Sequence, residues 1–419
     1  METKTLAEIG TVVTGKTPST SRRDYYGGDI PFVTPNELHA GRTVGQSAKT
    51  LSEAGLQSIK GSILEGTSVL VGCIGWDMGN VAMTNDRCAS NQQINAVTSI
   101  ISEVNPEYLY YWLSTKKDYL FSIASVTRTP ILSKSTFEQV KVPLPSRNVQ
   151  DGIARILASI DDQITTNDQV NDNLQTMLQT LYGYWFLQFD FPDENSRPYR
   201  SSGGRMVWSD QLKREIPEGW GVASLVSNPL CEPLKPGVAP FSEKTYLATA
   251  DVVGTTIKSG SRIRYETREG RANMEPVLNS VWFAKMKGSV KHLFLNEACA
   301  SLISETILST GFVGLKCDPS AFEYIASFIA SEQFEPLKDL HAHGATQQAV
   351  NSTDLENVLL PVPDALTLRG FSQLASSTLG RFNASIIENK RLQELRDWLL
   401  PMLMNGQATV ASSDKLSFT

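Results

Sequence analysis

The chain has 419 residues, 41% hydrophobic and 20% charged, with a net charge of −6. That length allows two to four domains with ample core, the composition is that of an ordinary soluble globular protein, and no apolar stretch approaches membrane-spanning length. The five cysteines are odd in number, far apart and without a C-x-x-C pair, which excludes a disulfide framework and a cysteine zinc site and leaves reduced thiols.

The opening METKTLAEIG lacks the basic-then-apolar order of a signal peptide, so a cytoplasmic location is expected. Gly10 to Thr17, GTVVTGKT, then satisfies the phosphate-loop pattern G-x-x-x-x-G-K-[ST]. Such a loop works only where a buried strand delivers it and a helix N-terminus receives the phosphates. Upstream, residues 1–9 carry Glu2, Lys4 and Glu8 and do not read as a buried strand. Downstream, Pro18 pushes Thr17 out of the helical region. SVLVGCIGWD, Ser68 to Asp77, offers an acid-terminated apolar run for magnesium, but Gly72 and Gly75 interrupt it. A P-loop nucleotide-binding enzyme therefore stands as a rival reading.

Residues 1–145 are rich in Gly, Pro, Thr and Val with short apolar runs such as IPFV, which reads as a mixed α/β globule of short strands. Ile153, Leu157, Ile160, Ile164, Asn167, Asn171, Leu174, Leu178, Leu181 and Trp185 then advance by steps of four and three, the seam of a coiled coil. A spacer helix is expected over 146–190, from about Val149 to Asp190, with buried amides at Asn167 and Asn171 fixing its register. Pro, Ser and Gly content marks 191–215 as a linker. A second mixed α/β globule fills 216–363, a second spacer helix 364–407, and a tail 408–419.

The chain repeats itself once. STFEQVKVPLP (Ser135 to Pro145) aligns without gaps on TDLENVLLPVP (Thr353 to Pro363), an offset of 363 − 145 = 218. The same offset matches Ser159 to Ser377, Asn171 to Asn389, Leu174 to Leu392, Gln175 to Gln393 and Leu181 to Leu399, and places Phe371, Ala375, Phe382, Asn389, Leu392, Leu399 and Leu403 on the second seam. Neither helix can bury its stripe alone, so each is the other's expected partner.

Taken in order, TGKTPSTSRRDYYGGDIPFVTPNEL, NQQINA, PLPSRNVQDGIARILASIDDQI, IPEGWGVASL, STGFVGL and GATQQAVNSTDLENVLLPVP resemble the specificity subunit of type I restriction-modification systems over nearly the whole chain. The second helix departs from the first in opening DALTLRGFSQLASST, and the first copy has TRTPILS where the second has GATQQAVN, which leaves the helix start open. The resemblance implies two mixed α/β target-recognition domains separated by two long antiparallel coiled-coil helices, a pseudo-twofold half-repeat. It implies that each domain reads half of a bipartite site in double-stranded DNA, and that the partners are two DNA methyltransferase subunits and motor-endonuclease subunits. It places no catalysis or cofactor on this chain: S-adenosylmethionine, ATP and Mg belong to those partners. A coiled-coil scaffold that binds protein only is a further alternative.

Base readout pairs Arg or Lys with guanine and Asn or Gln with adenine. The net negative charge weighs mildly against nucleic acid, but clustering of cations decides more than their total. Candidates in the first globule are Lys16, Thr17, Ser19, Arg22, Arg23 and Tyr25, then Asn91 and Gln92, then Arg128. In the second, KSGSRIRYETREGRAN supplies Lys258, Arg262, Arg264, Tyr265, Arg268 and Arg271, KMKGSVKHL supplies Lys285, Lys287, Lys291 and His292, and GATQQ adds Gln347 and Gln348. Asn91 reads equally as a structural amide. The pair His341 and His343 has no Cys or acid at ligand spacing and is not read as a metal site.

Overall fold

A computed structural model describes residues 2–39, 41–126, 128–345 and 347–408. Of the expected C-terminal tail, all but Ala408 lies outside the described residues. The chain divides into two compact units, Met1–Gln163 with Leu392–Thr419, and Ile164–Arg391. Both boundaries fall inside the long helices, so each unit holds one globular domain together with segments of both helices.

In the first unit, strands Thr11–Thr14, Ile94–Thr98, Ser68–Gly72 and Val81–Thr84 form one sheet in that order. Thr50–Leu51, Tyr26–Val33, Cys88–Ser90 and Ile63–Leu64 form a second, in which 26–33 and 88–90 run parallel. Ser68–Gly72 and Ile94–Thr98 are buried at every position, as central strands covered on both faces must be. Glu2–Thr5 pairs with Lys141–Leu144 and closes the domain's two ends against each other.

The second unit repeats this plan strand for strand. Cys231–Pro233, Phe312–Cys317, Ser280–Ala284 and His292–Leu295 form one sheet, and Ser261–Ile263, Lys244–Leu247, Thr306–Ser309 and Ala272–Met274 the other, with 244–247 and 306–309 parallel. Gly221–Ser224 pairs with Leu359–Val362 as the terminal ladder. The offsets 312 − 94 and 359 − 141 both equal 218, so the repeat visible at the first P-x-P extends back into the sheets. Within the second copy the Trp282 ring lies over Gly314, where a Cβ would come within 2.5 Å of it. Only glycine leaves that space.

The first long helix, α1, is Arg147–Tyr182, continued by a π-turn over Gly183–Leu187, and thus stops short of the expected Asp190. The second, α2, is Ala365–Met404. Asp364 settles its start as the N-cap: its Oδ1 accepts from the N–H groups of Leu366 and Thr367 at 2.9 Å each. Within the second unit the helices are antiparallel, since Trp185 meets Phe371 with ring centroids 5.5 Å apart while Asn167 Nδ2 donates to Asn389 Oδ1 at 2.9 Å. Within the first, Leu157 shares a core with Leu403. The seam residues Ile153, Leu157, Ile160, Ile164, Asn167, Asn171, Leu178, Phe371, Phe382 and Asn389 are buried, and Leu174, Leu181, Leu392 and Leu399 half-buried. No helix among the described residues is long and apolar enough to cross a membrane.

The stretch 191–215, expected as linker, is mostly exposed but is anchored at several points. Phe191 stacks on Tyr199 at 4.7 Å and on Trp220 at 5.2 Å, and Met206–Ser209 makes a hairpin with Arg214–Pro217. Composition concealed this because the aromatic anchors are few and widely spaced among turn formers.

In each domain the same bond ties a short helix to the terminal ladder. Tyr108 OH donates to Pro143 O at 2.9 Å, and Tyr324 OH to Pro361 O at 2.6 Å. We predict that Tyr108→Phe and Tyr324→Phe each lower stability by about 1–3 kcal/mol, the cost of leaving a buried carbonyl without its donor. Urea unfolding of each variant measures this, and a neutral result would show that water or another donor replaces the hydroxyl.

Candidate nucleic-acid interface

The first domain gathers its sequence-derived candidates around one loop. Thr11–Thr14 is an edge strand paired antiparallel with Ile94–Thr98, and no helix follows it. The N–H groups of Gly15 and Lys16 donate to Ile94 O at 3.0 Å and Ser90 O at 2.8 Å, so the donors a phosphate loop would aim at its ligand are engaged. A Cβ on Gly15 would lie 2.1 Å from Asn91 O. Glycine stands there because the 90–92 backbone packs directly on it. These contacts correct the P-loop reading: the strand is an antiparallel edge and no helix N-terminus receives phosphate.

Lys16, Ser19, Arg22, Arg23, Gln92 and Arg128 are exposed, and Thr17, Tyr25 and Asn91 half-buried. Thr17 Oγ1 donates to Gln92 Oε1 at 2.7 Å, joining the two halves of the cluster. Arg22 grips Asp24 through Nε and Nη2 at 2.9 and 2.7 Å and lies 4.8 Å above the Tyr25 ring. The hydrogen bonds that Arg22 donates to Asp24 raise its pKa further, and an Arg22 that read guanine would first have to leave this acid. Asn91 is a structural amide: its Oδ1 accepts from Gln93 N–H and its Nδ2 donates to Gln93 Oε1, both at 3.0 Å. Beside the loop lies an open groove of about 480 Å³ lined by Thr17, Thr20, Tyr26, Phe32 and Lys49. Lys49 escaped the sequence reading because it is an isolated cation in the chain; folding carries it to Thr17.

In the second domain the basic stretch 258–271 is split. Arg262 lies on the edge strand Ser261–Ile263, whereas Arg271 precedes Ala272–Met274 at the opposite edge of the same sheet. Between them the Arg268 guanidinium stacks on Tyr265 at 4.0 Å and donates to the Tyr265 carbonyl at 2.8 Å. Arg262, Arg264 and Arg271 are exposed. Lys258 is exposed too, but it stands near Asp168 of α1, whose carboxyl burial pushes up and Lys258 draws down.

Folding brings other, distant residues together. Thr310 N–H donates to Arg271 O, Lys285 N–H to Gly311 O, Val350 N–H to Lys285 O and Lys287 N–H to Gln348 O, all at 2.8–3.0 Å. Arg271, Lys287, Gln347 and Gln348 therefore form one exposed loop cluster, with Lys285 half-buried and its pKa lowered by burial.

His292 does not belong to that surface, which corrects its place among the DNA contacts. It is 5% exposed, and its Nε2 lies 2.8 Å from Glu335 Oε1. Lys291 directs its ammonium to Thr249 O. Lys338, fully buried and absent from the sequence candidates, binds Glu335 and donates to Ala284 O and Ser289 O at 3.3 Å each. The 284–289 loop thus hangs from a buried ion pair. Burial alone would raise the Glu335 pKa, but hydrogen bonds from His292 and Lys338 outweigh it and hold the carboxyl below its ordinary range.

The profile of the family described as Type I restriction modification DNA specificity domain matches residues 1–176. The Type I restriction enzyme MjaIX specificity subunit of Methanocaldococcus jannaschii is 27% identical over 429 aligned residues, covering 98% of this chain and 94% of that protein. The HindI specificity subunit of Haemophilus influenzae is 31% identical over 183 residues, 43% of this chain and 39% of that protein. The crystal structure of the type I restriction-modification S subunit from M. genitalium superposes with a TM-score of 0.55 at 12% identity, covering 96% of this chain and 95% of that one, a likeness of fold.

Two outcomes follow from the geometry. Replacing Arg262 and Arg264 together with alanine should lower DNA affinity and reduce the salt slope by about two, one for each lost phosphate contact; an unchanged slope in a salt titration would turn this edge away from DNA. Lys338→Met should lower stability by about 3–5 kcal/mol, because it strands a buried carboxylate. The lowered Glu335 pKa contributes stability that is full above the ordinary carboxylate pKa and lost as pH falls through the lowered one. Urea melts of Glu335→Gln between pH 3 and 7 should lack that share of the acid dependence.

Proposed function

We propose that the chain is a type I restriction-modification specificity subunit, supported by the family profile over residues 1–176 and the near full-length likeness to the MjaIX specificity subunit, and that each globular domain reads one half of a split duplex DNA sequence while the paired helices set the gap and dock two methyltransferase subunits. The observation that carries this reading is the repetition of one sheet plan, in one strand order, followed in each copy by a long helix. A chain built twice on the same plan offers two like seats for one kind of partner. Met177 on α1 and Leu395 on α2, 395 − 177 = 218 apart, support this, being 59% and 43% exposed at matching positions of the helices. The loop surfaces differ between copies: Arg22 paired with Asp24 in one, and the Arg271, Lys287 and Gln348 cluster in the other. Different readers imply an asymmetric site.

In this proposal the chain itself is non-catalytic. S-adenosylmethionine, ATP and magnesium are bound by the methyltransferase and motor-endonuclease partners, and the complex works in the cytoplasm.

The helix pair supplies the test. Two domains on one face of a duplex read half-sites about one helical turn apart, roughly 10 base pairs centre to centre. Inserting four residues after Asp168 and four after Ile386, at matching positions since 386 − 168 = 218, lengthens both helices nearly opposite each other. Each gains about 6 Å at 1.5 Å per residue, close to two base pairs at about 3.4 Å each. Four residues are about one turn, so the apolar seam stays nearly in phase. The expected outcome, read by methylation mapping in a host that carries the partner subunit, is unchanged half-sequences with a gap wider by one or two base pairs. Altered half-sequences at the original gap would refute the spacer role.

A further inference from the structure

The two copies also differ at the seat of each domain on its helices. Tyr108 and Tyr324 mark equal positions of the short helices Pro106–Ser114 and Phe322–Ile329, 324 − 108 = 216 apart, and three residues further on stand Tyr111 and Ser327. On the long helices the offset of 218 equates Asp161 with Leu379 and Leu178 with Arg396.

In the first copy these positions carry a hydrogen-bonded charge cluster. Tyr111 OH donates to Asp161 Oδ2 at 2.6 Å, and Arg396 Nη1 donates to Asp161 Oδ1 at 3.1 Å. Tyr111 is 2% exposed and Asp161 9%. One carboxylate on α1 therefore holds a helix of the domain and α2 at once. Arg42, from the same domain, bridges Glu107 and Asp162 beside it. In the second copy the matching Leu178, Ser327 and Leu379 line a small apolar cavity with Phe294, Ala326 and Phe382, and that domain is seated by hydrogen bonds elsewhere: Gln179 Nε2 donates to Ala330 O at 2.7 Å and Ser372 Oγ to Glu323 Oε2 at 2.8 Å.

Charge-assisted hydrogen bonds are directional, whereas apolar contact is non-directional and depends mainly on area. A domain whose helix shares one carboxylate with a guanidinium of the second long helix is held at one angle. We propose that Tyr111, Asp161 and Arg396, with Arg42 bridging Glu107 and Asp162, form a positioning cluster that fixes the angle of the first recognition domain on the helices and with it the preferred gap. The proposal rests on the reading that the helices set the gap. These residues act through the domain's orientation and touch no base.

The test uses the full chain assembled with its methyltransferase partner, on duplexes that carry both half-sequences at gaps from two base pairs shorter to two longer. Methylation rate and affinity are read at each gap. Tyr111→Phe, Asp161→Leu and Arg396→Leu combined remove the cluster and leave apolar side chains at its three positions. The triple variant is expected to keep its half-sequences but lose about tenfold of its preference for the wild-type gap, the scale of a lost charge-assisted hydrogen bond. Tyr111→Phe alone, which removes one hydroxyl and keeps the ion pair, should lose about threefold. Arg396→Lys, retaining the charge, should keep most of the preference, and Ser327→Ala in the other seat should change nothing. A wild-type gap profile in the triple variant overturns the proposal, and if that variant fails to assemble, a wild-type profile in Tyr111→Phe overturns it. Wild-type protein that methylates without any gap preference removes the spacer reading itself, and the proposal with it.

Discussion

Neither long helix can hide its apolar stripe from water alone, and isolated amphipathic helices draw most of their stability from packing. The antiparallel pairing of the two satisfies both. Its seam is not uniformly apolar: Asn167 donates to Asn389, Asn389 to Asp168, and Asn171, Asn383 and Ser385 are buried nearby. Amides in such a seam cost stability but pair in one alignment, whereas leucines tolerate a slip of a turn.

The domains share one internal bond and differ in its surroundings. The tyrosine-to-proline-carbonyl bond recurs in both copies, and the short helix bearing it accompanies the same sheet plan. Beside it the first copy uses carboxylates and guanidinium groups, the second leucine and phenylalanine with a hydrogen bond from Ser372 to Glu323. The same division separates the charges that face solvent from those that build the frame. Lys338 and His292 work inward, suspending the 284–289 loop from Glu335, and leave the exposed Arg271, Lys287 and Gln348 outward. A buried ion pair is an expensive support, since its loss strands a charge, but it fixes a loop that apolar contacts would leave loose.

The candidate site was half legible. Exposure of Lys16, Arg22, Arg23, Arg262 and Arg264 agrees with what isolated polar loop residues lead one to expect. The structural role of Asn91 was open in the sequence beside the base-reading one, but those of Lys291 and His292 were not readable, because each depends on a partner remote in sequence. Gly15 shows the same limit from the other side. Its phosphate-loop spacing is real, yet the glycine is required by the approach of the 90–92 backbone. A local pattern cannot report a neighbour 75 residues away, which is the separation of Thr17 from Gln92 in their hydrogen bond.

What the sequence determined by itself was periodic: the heptad-like seams, the 218-residue offset, the P-x-P boundaries and the alternation of globule and helix. Periodicity survives in sequence because every turn of a helix faces the same partner, so each repeat restates the same demand for burial. Tertiary structure alone decided that the sheets of the two domains share one plan, since a strand pairs through its backbone, and side chains can diverge while the ladders persist. It decided as well which cations lie together, because Arg271, Lys287 and Gln348 meet only where carbonyls and N–H groups of four separate loops satisfy one another.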